Sequence, residues 1–395
     1  MIEMEVYDIL VIGGGINGAG LAQAAAAQGY RVKVLEEKAL ASGTSSRSSK
    51  LIHGGLRYLE TGQFSLVHEC LQERQYLLKN APDLVQLKPF YIPVYPQTSR
   101  RPWQLRLGLT AYGLLTGLRK SARFRTIPRR EWDKLGGLET GGLETVFQYW
   151  DAQTDDARLT ESVMQSAVDL GADLSMPANF VSAKRTKLGW NAQFKIHRRE
   201  YEIETRVIIN AAGPWVNKVL DKFQSPVTKL AVDLVAGTHL VLPGDTGDGI
   251  FYVEAPQDGR AVFVMPWYKR LMVGTTERIY EGDPRKIKPI AAETQYLLDV
   301  LAHYFPKYRK ASARKIVESF AGARVLPKSD SSAFNRPRDT LFHPDQSHKP
   351  SLITLYGGKL TAYRATAERA LVLVKGTLPG RRRVADTRQI HLNPV

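Results

Sequence analysis

The sequence predicts an α/β fold of two units, a parallel βαβ-built domain joined to a domain made around an antiparallel sheet. Three observations carry this. An apolar run, Ile9-Leu10-Val11-Ile12, opens directly into the glycine cluster Gly13 to Gly20. An Ala-rich stretch of helical composition, Ala19 to Gln28, follows, and a second strand, Arg31 to Leu35, ends on Glu36. Residues 227–317 then read mostly as short strands with one helix, the pattern of an antiparallel sheet.

The first element is the most informative. Gly13, Gly15 and Gly18 meet the G-x-G-x-x-G spacing, which permits a tight turn, backbone approach to a pyrophosphate and close seating of the next helix on the strand. The N-terminus of that helix faces the phosphates. Glu36 falls where a carboxylate holds a ribose. Strand, turn, helix, strand and acid together specify a Rossmann-like dinucleotide site, and the spacing leaves NAD and FAD both open.

Length and composition set the bounds. With 395 residues, two domains are the natural division. A single cysteine, Cys70, excludes a disulfide framework and fits a reducing cytoplasm. The first twelve residues carry acids and no basic region, so no secretory signal is expected, and no run approaches the roughly 20 apolar residues of a spanning helix. The formal net charge of +16 calls for an anionic partner: a charged substrate, a phosphate-bearing cofactor, a lipid surface or nucleic acid.

After Glu36 comes a small polar loop, Ala41 to Lys50, able to offer hydroxyls and N–H groups to phosphate oxygens. It leads into Leu51-Ile52-His53-Gly54-Gly55-Leu56-Arg57-Tyr58-Leu59-Glu60. The run from Thr44 to Glu60, placed after this glycine cluster, resembles the FAD-dependent glycerol-3-phosphate dehydrogenases. The resemblance implies that the cofactor is FAD. It implies that Thr44, Ser45, Ser46, Ser49, Lys50, Leu51 and His53 continue the cofactor site. The turn at Gly54-Gly55-Leu56-Arg57-Tyr58 would approach flavin and substrate.

Residues 64–80 read as a helix with Phe64, Val67, Leu71 and Leu78 along one stripe, closed by Pro82. From Leu84 to Arg130 there is no acidic residue, while cations recur, among them Arg100, Arg101, Arg106, Arg119, Lys120 and Arg123. Inside this stretch Trp103 to Leu115 is apolar and too short to span a bilayer. It reads either as a packed helix with basic ends or as an interfacial anchor, and the anchor reading predicts attachment to an anionic membrane surface.

Asp155 and Asp156 are capping candidates for a helix that ends at Gly171. Strands are expected around Phe180 to Lys184 and Ala192 to His197. The apolar run Val207 to Asn210 stops at Ala211-Ala212-Gly213, small residues beside which a nucleotide can lie. Farther on, Gly237-Thr238-His239 places a histidine at the start of a strand, Val262 to Trp267 forms another, and Met272 to Gly274 runs into Thr275-Thr276-Glu277. The same family shows this order, with aspartate where Glu277 stands. Ser319 to Pro327 resembles the family's Ser-Gly-Val-Arg-Pro-Leu stretch and keeps Arg324 in register. A strand, Leu352 to Tyr356, a turn, Gly357-Gly358-Lys359-Leu360-Thr361, and a helix, Ala362 to Lys375, complete the nucleotide domain, the helix N-terminus being expected to face the flavin.

The expected division is residues 1–85, 150–226 and 318–395 for the FAD-binding domain and 86–149 with 227–317 for the substrate domain. The resemblance runs from Tyr7 to about Lys375, and the chain is expected to be a shortened member without the family's C-terminal helical domain. The implied reaction is oxidation of sn-glycerol 3-phosphate, or a similar phosphorylated polyol, to its ketone, dihydroxyacetone phosphate, by hydride transfer to FAD. Such chemistry needs a base, a cation pocket and an enforced approach. Arg57 and Arg324 are expected to grip the phosphate, Tyr58 to add a hydrogen bond, and Lys359 to stand near flavin and substrate. His239 is the expected base, with His53 and Glu277 as rivals. Cofactor contacts are expected from Gly13, Gly15, Gly18, Glu36, the loop residues named above, Ala211, Gly213, Gly358, Lys359, Leu360 and Thr361. No metal is expected. Electrons would pass to a quinone or to oxygen, with the protein cytoplasmic or peripheral on the cytoplasmic membrane face. An FAD-dependent amine or amino-acid oxidase is the rival enzyme, disfavoured by the His53 to Tyr58 run. No nucleic-acid partner is expected, because no recognition motif accompanies the charge.

Overall fold

The computed structural model describes residues 5–60, 62–116, 123–328 and 339–395, so Arg119 and Lys120 of the basic stretch lie outside the described residues. Among these residues the helices are α1 (Ile16–Ala27), α2 (Phe64–Asn80), α3 (Pro102–Leu115), α4 (Asp156–Asp169), α5 (Val216–Leu220), α6 (Ala291–Tyr304) and α7 (Tyr363–Val374).

The first sheet is built around Val6–Ile12. This strand pairs in parallel with Val32–Leu35 on one side and Arg199–Asn210 on the other, and the latter pairs in parallel with Leu352–Tyr356. Register decides what the sheet can do. Ile12 stands opposite both Leu35 and Asn210, and Asn210 opposite Thr354, so the strands end level. Gly13, Glu36, Ala211 and Gly357 therefore leave the sheet at one edge, the carboxyl end where open α/β sheets bind ligands.

Period-two alternation supplies the two faces of this sheet. Ile9 and Val11 pack with α1, α4 and α7, while Leu10 and Ile12 pack with Phe180 and Trp190 of the hairpin Asn179–Arg185/Trp190–Ile196. Apart from Asn17, α1 is buried along its whole length, which its alanines permit, since they let neighbouring helices approach from several sides.

The second sheet runs from Arg278–Tyr280 through Val232–Pro243, Arg270–Gly274, Ala261–Trp267, Ile250–Glu254, Val85–Val94 and Thr145–Thr154 to Leu51–Ile52. Its pairings are antiparallel except at Ile250 and Phe251, which run parallel to Phe90 and Tyr91. One face of this sheet buries Leu240, Leu242 and Val264 against α6; the opposite face buries Val241, Met265 and Met272 with residues of α2 and α3.

Two features differ from the sequence reading. Glu318–Pro327, expected with the nucleotide domain, pairs along its length with Val232–Pro243, from Val232 opposite Pro327 to Val241 opposite Glu318. Its small alternate residues, Ala321 and Ala323, are buried with Ala236 and Ile287 against that partner. Secondly, His239 sits in mid-strand, not at a strand start. Gly237 looks like loop in the sequence, but a Cβ there would lie 2.7 Å from the carbonyl oxygen of Thr276, so the glycine serves a close backbone approach. No helix among the described residues is long and apolar enough to cross a membrane.

Candidate active site

A cavity of about 440 Å³ opens where the parallel strands end and continues between the two sheets. The fingerprint glycines play separate parts in it. Gly13 adopts φ +112°, and a Cβ there would lie 2.7 Å from the Ala211 carbonyl oxygen of the neighbouring strand turn. At Gly15 a Cβ would reach 3.0 Å from Ser45 Oγ. Gly18 lines no part of the cavity; its Cβ would fall 1.8 Å from the Gly13 carbonyl oxygen, so it seats α1 on the turn. Glu36, almost buried, accepts from Gly14 N at 2.6 Å through Oε2 and from Lys38 N at 2.8 Å through Oε1, which holds its carboxylate at the cavity wall. The N-cap residue of α1, Gly15, has no side chain to cap the helix, and its first turn holds no acid, so beyond the Ile16 N–H taken by Ser45 its positive end is open to a ligand.

The serine loop folds against this turn as a short 3-10 helix, Thr44–Ser46. Ser45 Oγ accepts from Ile16 N at 2.9 Å, and Thr44 Oγ1 donates to the Ala323 carbonyl at 2.7 Å, tying the loop to both sheets. Thr44, Ser45, Ser49, Leu51 and His53 line the cavity. Ser46 and Lys50 do not. Ser46 Oγ turns back to the Gly43 carbonyl, and the Lys50 ammonium is buried on Asp156, with the Ser46 carbonyl as its second acceptor. Asp156 is fully buried and also accepts from Ser48 N at 2.9 Å and Ser48 Oγ at 2.6 Å. The capping role at α4 belongs to Asp155, which accepts from Ala157 N and Arg158 N. Asp156 is a clamp on the loop, and Lys50, at φ +60°, is held by it.

On the far wall stand Ala211, Gly213, Gly358, Lys359, Leu360 and Thr361. Thr361 Oγ1 accepts from His53 N at 3.1 Å, joining this turn to the Gly54-Gly55 turn. Lys359 Nζ lies 3.8 Å from the centre of the Tyr58 ring and has no hydrogen-bond partner among the described residues. The helix that follows begins at Tyr363, with Leu360 and Thr361 rather than its own first turn on the cavity wall.

His239 projects where the two sheets meet. Its ring stacks on Phe320, the residue paired with it on the next strand, at 4.9 Å between centroids. On its other flank is Gly274, where a Cβ would lie 2.1 Å from His239 Cδ2, so only glycine leaves room for the ring. Nε2 is 3.0 Å from Ser49 Oγ, and Nδ1 has no hydrogen-bond partner among the described residues. Burial, with the cations Lys50 and Arg324 nearby, pushes the imidazole pKa down to about 3. The ring is therefore neutral.

A smaller cavity of about 120 Å³ abuts the first, sharing Ser49, His53, Tyr58, Thr275 and Arg324 with it. Arg57, Arg260 and Arg324 line it with one carboxylate, Glu277, among the described residues. Arg324 Nη1 donates to Glu277 Oε1 at 2.5 Å, so the rival base is engaged as the partner of an arginine. Arg260 was not foreseen. It is oriented by Asp258 at 2.7 Å, reaches the Glu277 carbonyl at 3.3 Å and follows a turn with no distinguishing sequence signal. Tyr252, also on this wall, carried no signal either, whereas Thr275 belongs to the Thr275-Thr276-Glu277 run noted in the sequence.

The residues fit a flavin dinucleotide. Glycine backbone, the acid-free N-terminus of α1 and a carboxylate meet on the wall of the larger cavity. On the same walls Asn17 Oδ1, Trp215 Nε1, Lys359 Nζ and His239 Nδ1 are buried polar atoms without a hydrogen-bond partner among the described residues, a set that a polar dinucleotide can satisfy. The comparisons agree. The model of the FAD dependent oxidoreductase family matches residues 8–364. The chain is 39% identical over 374 residues to the glycerol-3-phosphate dehydrogenase of Pseudomonas aeruginosa, covering 93% of this chain and 71% of the other. It is 36% identical over 386 residues to the D-erythritol 1-phosphate dehydrogenase of Brucella abortus, covering 96% and 76%. The structure of the glycerol-3-phosphate dehydrogenase from Bacillus halodurans complexed with FAD matches at TM-score 0.76 and 28% identity, covering 99% of this chain and 68% of that one. From fingerprint, cleft and relatives together, the chain belongs to the FAD-dependent oxidoreductases and its cleft is an FAD site.

Proposed function

We propose that the protein oxidises a phosphorylated polyol, sn-glycerol 3-phosphate or a close analogue, at the secondary alcohol. The observation that carries this reading is the small cavity, where arginines outnumber carboxylates three to one beside the flavin cleft. A phosphate monoester brings about −1.5 to −2 charges and three acceptor oxygens, which guanidinium groups bind in paired fashion. An amino acid brings one carboxylate and one ammonium, and the second of these is repelled here. The relatives named for glycerol 3-phosphate and erythritol 1-phosphate support the same class.

Bound FAD supplies the hydride acceptor. Arg57, Arg260 and Arg324 bind the phosphate and so fix the carbinol carbon beside Ser49 and His239, with Tyr58 closing the wall. Assigning the Nε2 proton to the bond with Ser49 Oγ leaves the lone pair on His239 Nδ1, which takes the hydroxyl proton. The substrate phosphate offsets Arg324, one of the cations that depress the ring, so substrate binding raises the proton affinity of its own base. Lys359, over the Tyr58 ring on the wall of the larger cavity, would offer its ammonium to the flavin.

The outward face of α3 supports docking on an anionic membrane, where a quinone acceptor resides. Trp103, Leu107 and Leu114 are 66%, 65% and 59% exposed, with Arg101 and Arg106 exposed among them. This reading requires flotation with anionic liposomes at low salt; no flotation would refute it.

The test of the reaction is anaerobic bleaching of the flavin. Glycerol 3-phosphate or erythritol 1-phosphate is expected to bleach it rapidly, and glycerol and glycine to bleach it slowly or not at all. Bleaching by glycine alone, or by none of the four, overturns the reading.

A further inference from the structure

The turn that carries Arg57 and Tyr58 has two anchors. One is Thr361, on the flavin side. The other comes from α3, a helix whose outer face is solvent-exposed and whose inner face holds Leu105, Leu109 and Tyr112. The Gly54 N–H donates to Tyr112 Oη at 2.8 Å, and that hydroxyl donates in turn to Asp151, at 2.7 Å to Oδ2 and 2.9 Å to Oδ1. Asp151 is paired with Arg74 of α2, whose Nη1 also donates to the Trp150 carbonyl at 2.8 Å. Tyr112, Asp151 and Arg74 are 2%, 1% and 0% exposed, so the chain of bonds is shielded from water along its length. The fit is tight as well as polar: a Cβ on Gly54 would lie 2.5 Å from Tyr112 Oη and 2.6 Å from Leu71 Cδ2.

We propose that Tyr112 is a positioning residue for the substrate cavity: its hydroxyl, fixed by Asp151 and Arg74, holds the Gly54 peptide and thereby sets where Arg57 and Tyr58 project. The proposal rests on the reading of that cavity as a phosphate site. Without the hydroxyl the Gly54 N–H keeps only the Asp151 carboxylate as a near acceptor, so the turn shifts toward that carboxylate. Arg57 moves with it. The bond to Asp151 then has a functional meaning beyond stability: it is the far end of a strut that starts on α2 and ends three residues before the phosphate-binding arginine.

Tyr112→Phe isolates the hydroxyl, and Leu109→Val, on the same helix face without contact to Gly54, reports general loosening of α3. In the FAD-loaded enzyme, Tyr112→Phe is expected to raise KM for glycerol 3-phosphate, and the inhibition constant of inorganic phosphate, by about tenfold. The saturated rate and the FAD content should stay within about twofold, since binding geometry is what the turn supplies. Leu109→Val should move neither constant by more than about twofold. Amide exchange over residues 54–58 should accelerate in Tyr112→Phe and not in Leu109→Val. The proposal is overturned if Tyr112→Phe leaves both constants and exchange unchanged, or if Leu109→Val reproduces its effects. If the unmodified enzyme does not turn over glycerol 3-phosphate, the substrate reading has failed, and exchange at residues 54–58 still decides the role of Tyr112.

Discussion

Asp156→Ala should do more damage than any single change on the cavity wall, although Asp156 touches no ligand. The carboxylate is fully buried and the Lys50 side chain is 6% exposed, so truncation leaves an ammonium shielded from water with only the Ser46 carbonyl beside it. Removing one partner of a buried pair costs about 3–5 kcal/mol. The N–H and hydroxyl of Ser48 lose their acceptor at the same time, and their share is contained in that figure rather than added to it. Urea unfolding of the flavin-free protein should show the full loss. FAD affinity should fall separately, because the loop must be reordered on binding: fixing even two backbone residues costs about 2 kcal/mol, roughly thirtyfold in Kd. The double substitution Lys50→Met/Asp156→Leu divides these effects. It removes the stranded charge and should recover most of the stability, but it offers Ser48 N–H no acceptor and should not recover FAD affinity. A loss below about 1 kcal/mol with FAD retained in Asp156→Ala would refute the clamp. So would full recovery of both quantities in the double variant.

Four further outcomes are expected. His239 has a folded pKa of about 3 against roughly 6.5 unfolded, so below pH 6.5 the unfolded chain binds the extra proton and stability falls as pH drops. Between pH 7.5 and 5.0 the protein should lose about 2 kcal/mol more than His239→Gln, measured by urea unfolding of flavin-free samples; equal slopes would show that the ring is not buried neutral. Arg260→Ala should raise KM for glycerol 3-phosphate by about 10- to 100-fold with FAD content unchanged, as loss of one charged phosphate contact implies. Gly18→Ala should cost at least about 1–3 kcal/mol and release FAD on gel filtration, because its methyl would strike the Gly13 carbonyl. Finally, added inorganic phosphate should accelerate flavin bleaching by glycerol, since it can occupy the arginine cavity and relieve His239 without being attached to the alcohol; a purely inhibitory or absent effect would count against that coupling.

What was legible in the sequence was local. The central strands of the first sheet are near-continuous apolar runs because both faces are covered, and glycine punctuates their ends, so strand, turn and helix announce themselves within thirty residues. The run from Thr44 to Tyr58 is similarly compact, and most of it does reach the two cavities. Long-range pairing was not legible. Lys50 points at Asp156 across 106 positions of sequence, and nothing near Lys50 distinguishes a phosphate ligand from a buried counter-ion. Arg260 looks like any arginine after an Asp-Gly turn, and becomes part of the site only because Ala261–Trp267 lies beside the strand that delivers Glu277. The strand Glu318–Pro327 crossed the expected domain boundary for the same reason. Its alternation of small residues fits either sheet, and the pairing partner is settled by shape that only the assembled core provides.

The seam between the sheets explains why recognition and chemistry share residues. Arg324 lies on the strand that also bears Phe320, and both face elements of the same site: Phe320 stacks on His239, while Arg324 lines both cavities and depresses the imidazole. A dianion that binds Arg324 therefore acts on the base through charge, while the clamp of Phe320, Gly274 and Ser49 prevents the ring from turning away to relieve its buried state. Burial alone would give a neutral histidine too weak to accept a proton readily; cations alone would weaken it further. In the proposed mechanism the phosphate offsets Arg324 while Lys50 stays paired with Asp156, so part of the second penalty is lifted and the first remains, which favours base strength in the complex with the correct substrate. On that proposal an alcohol lacking the phosphate would meet His239 with its proton affinity still depressed by Arg324.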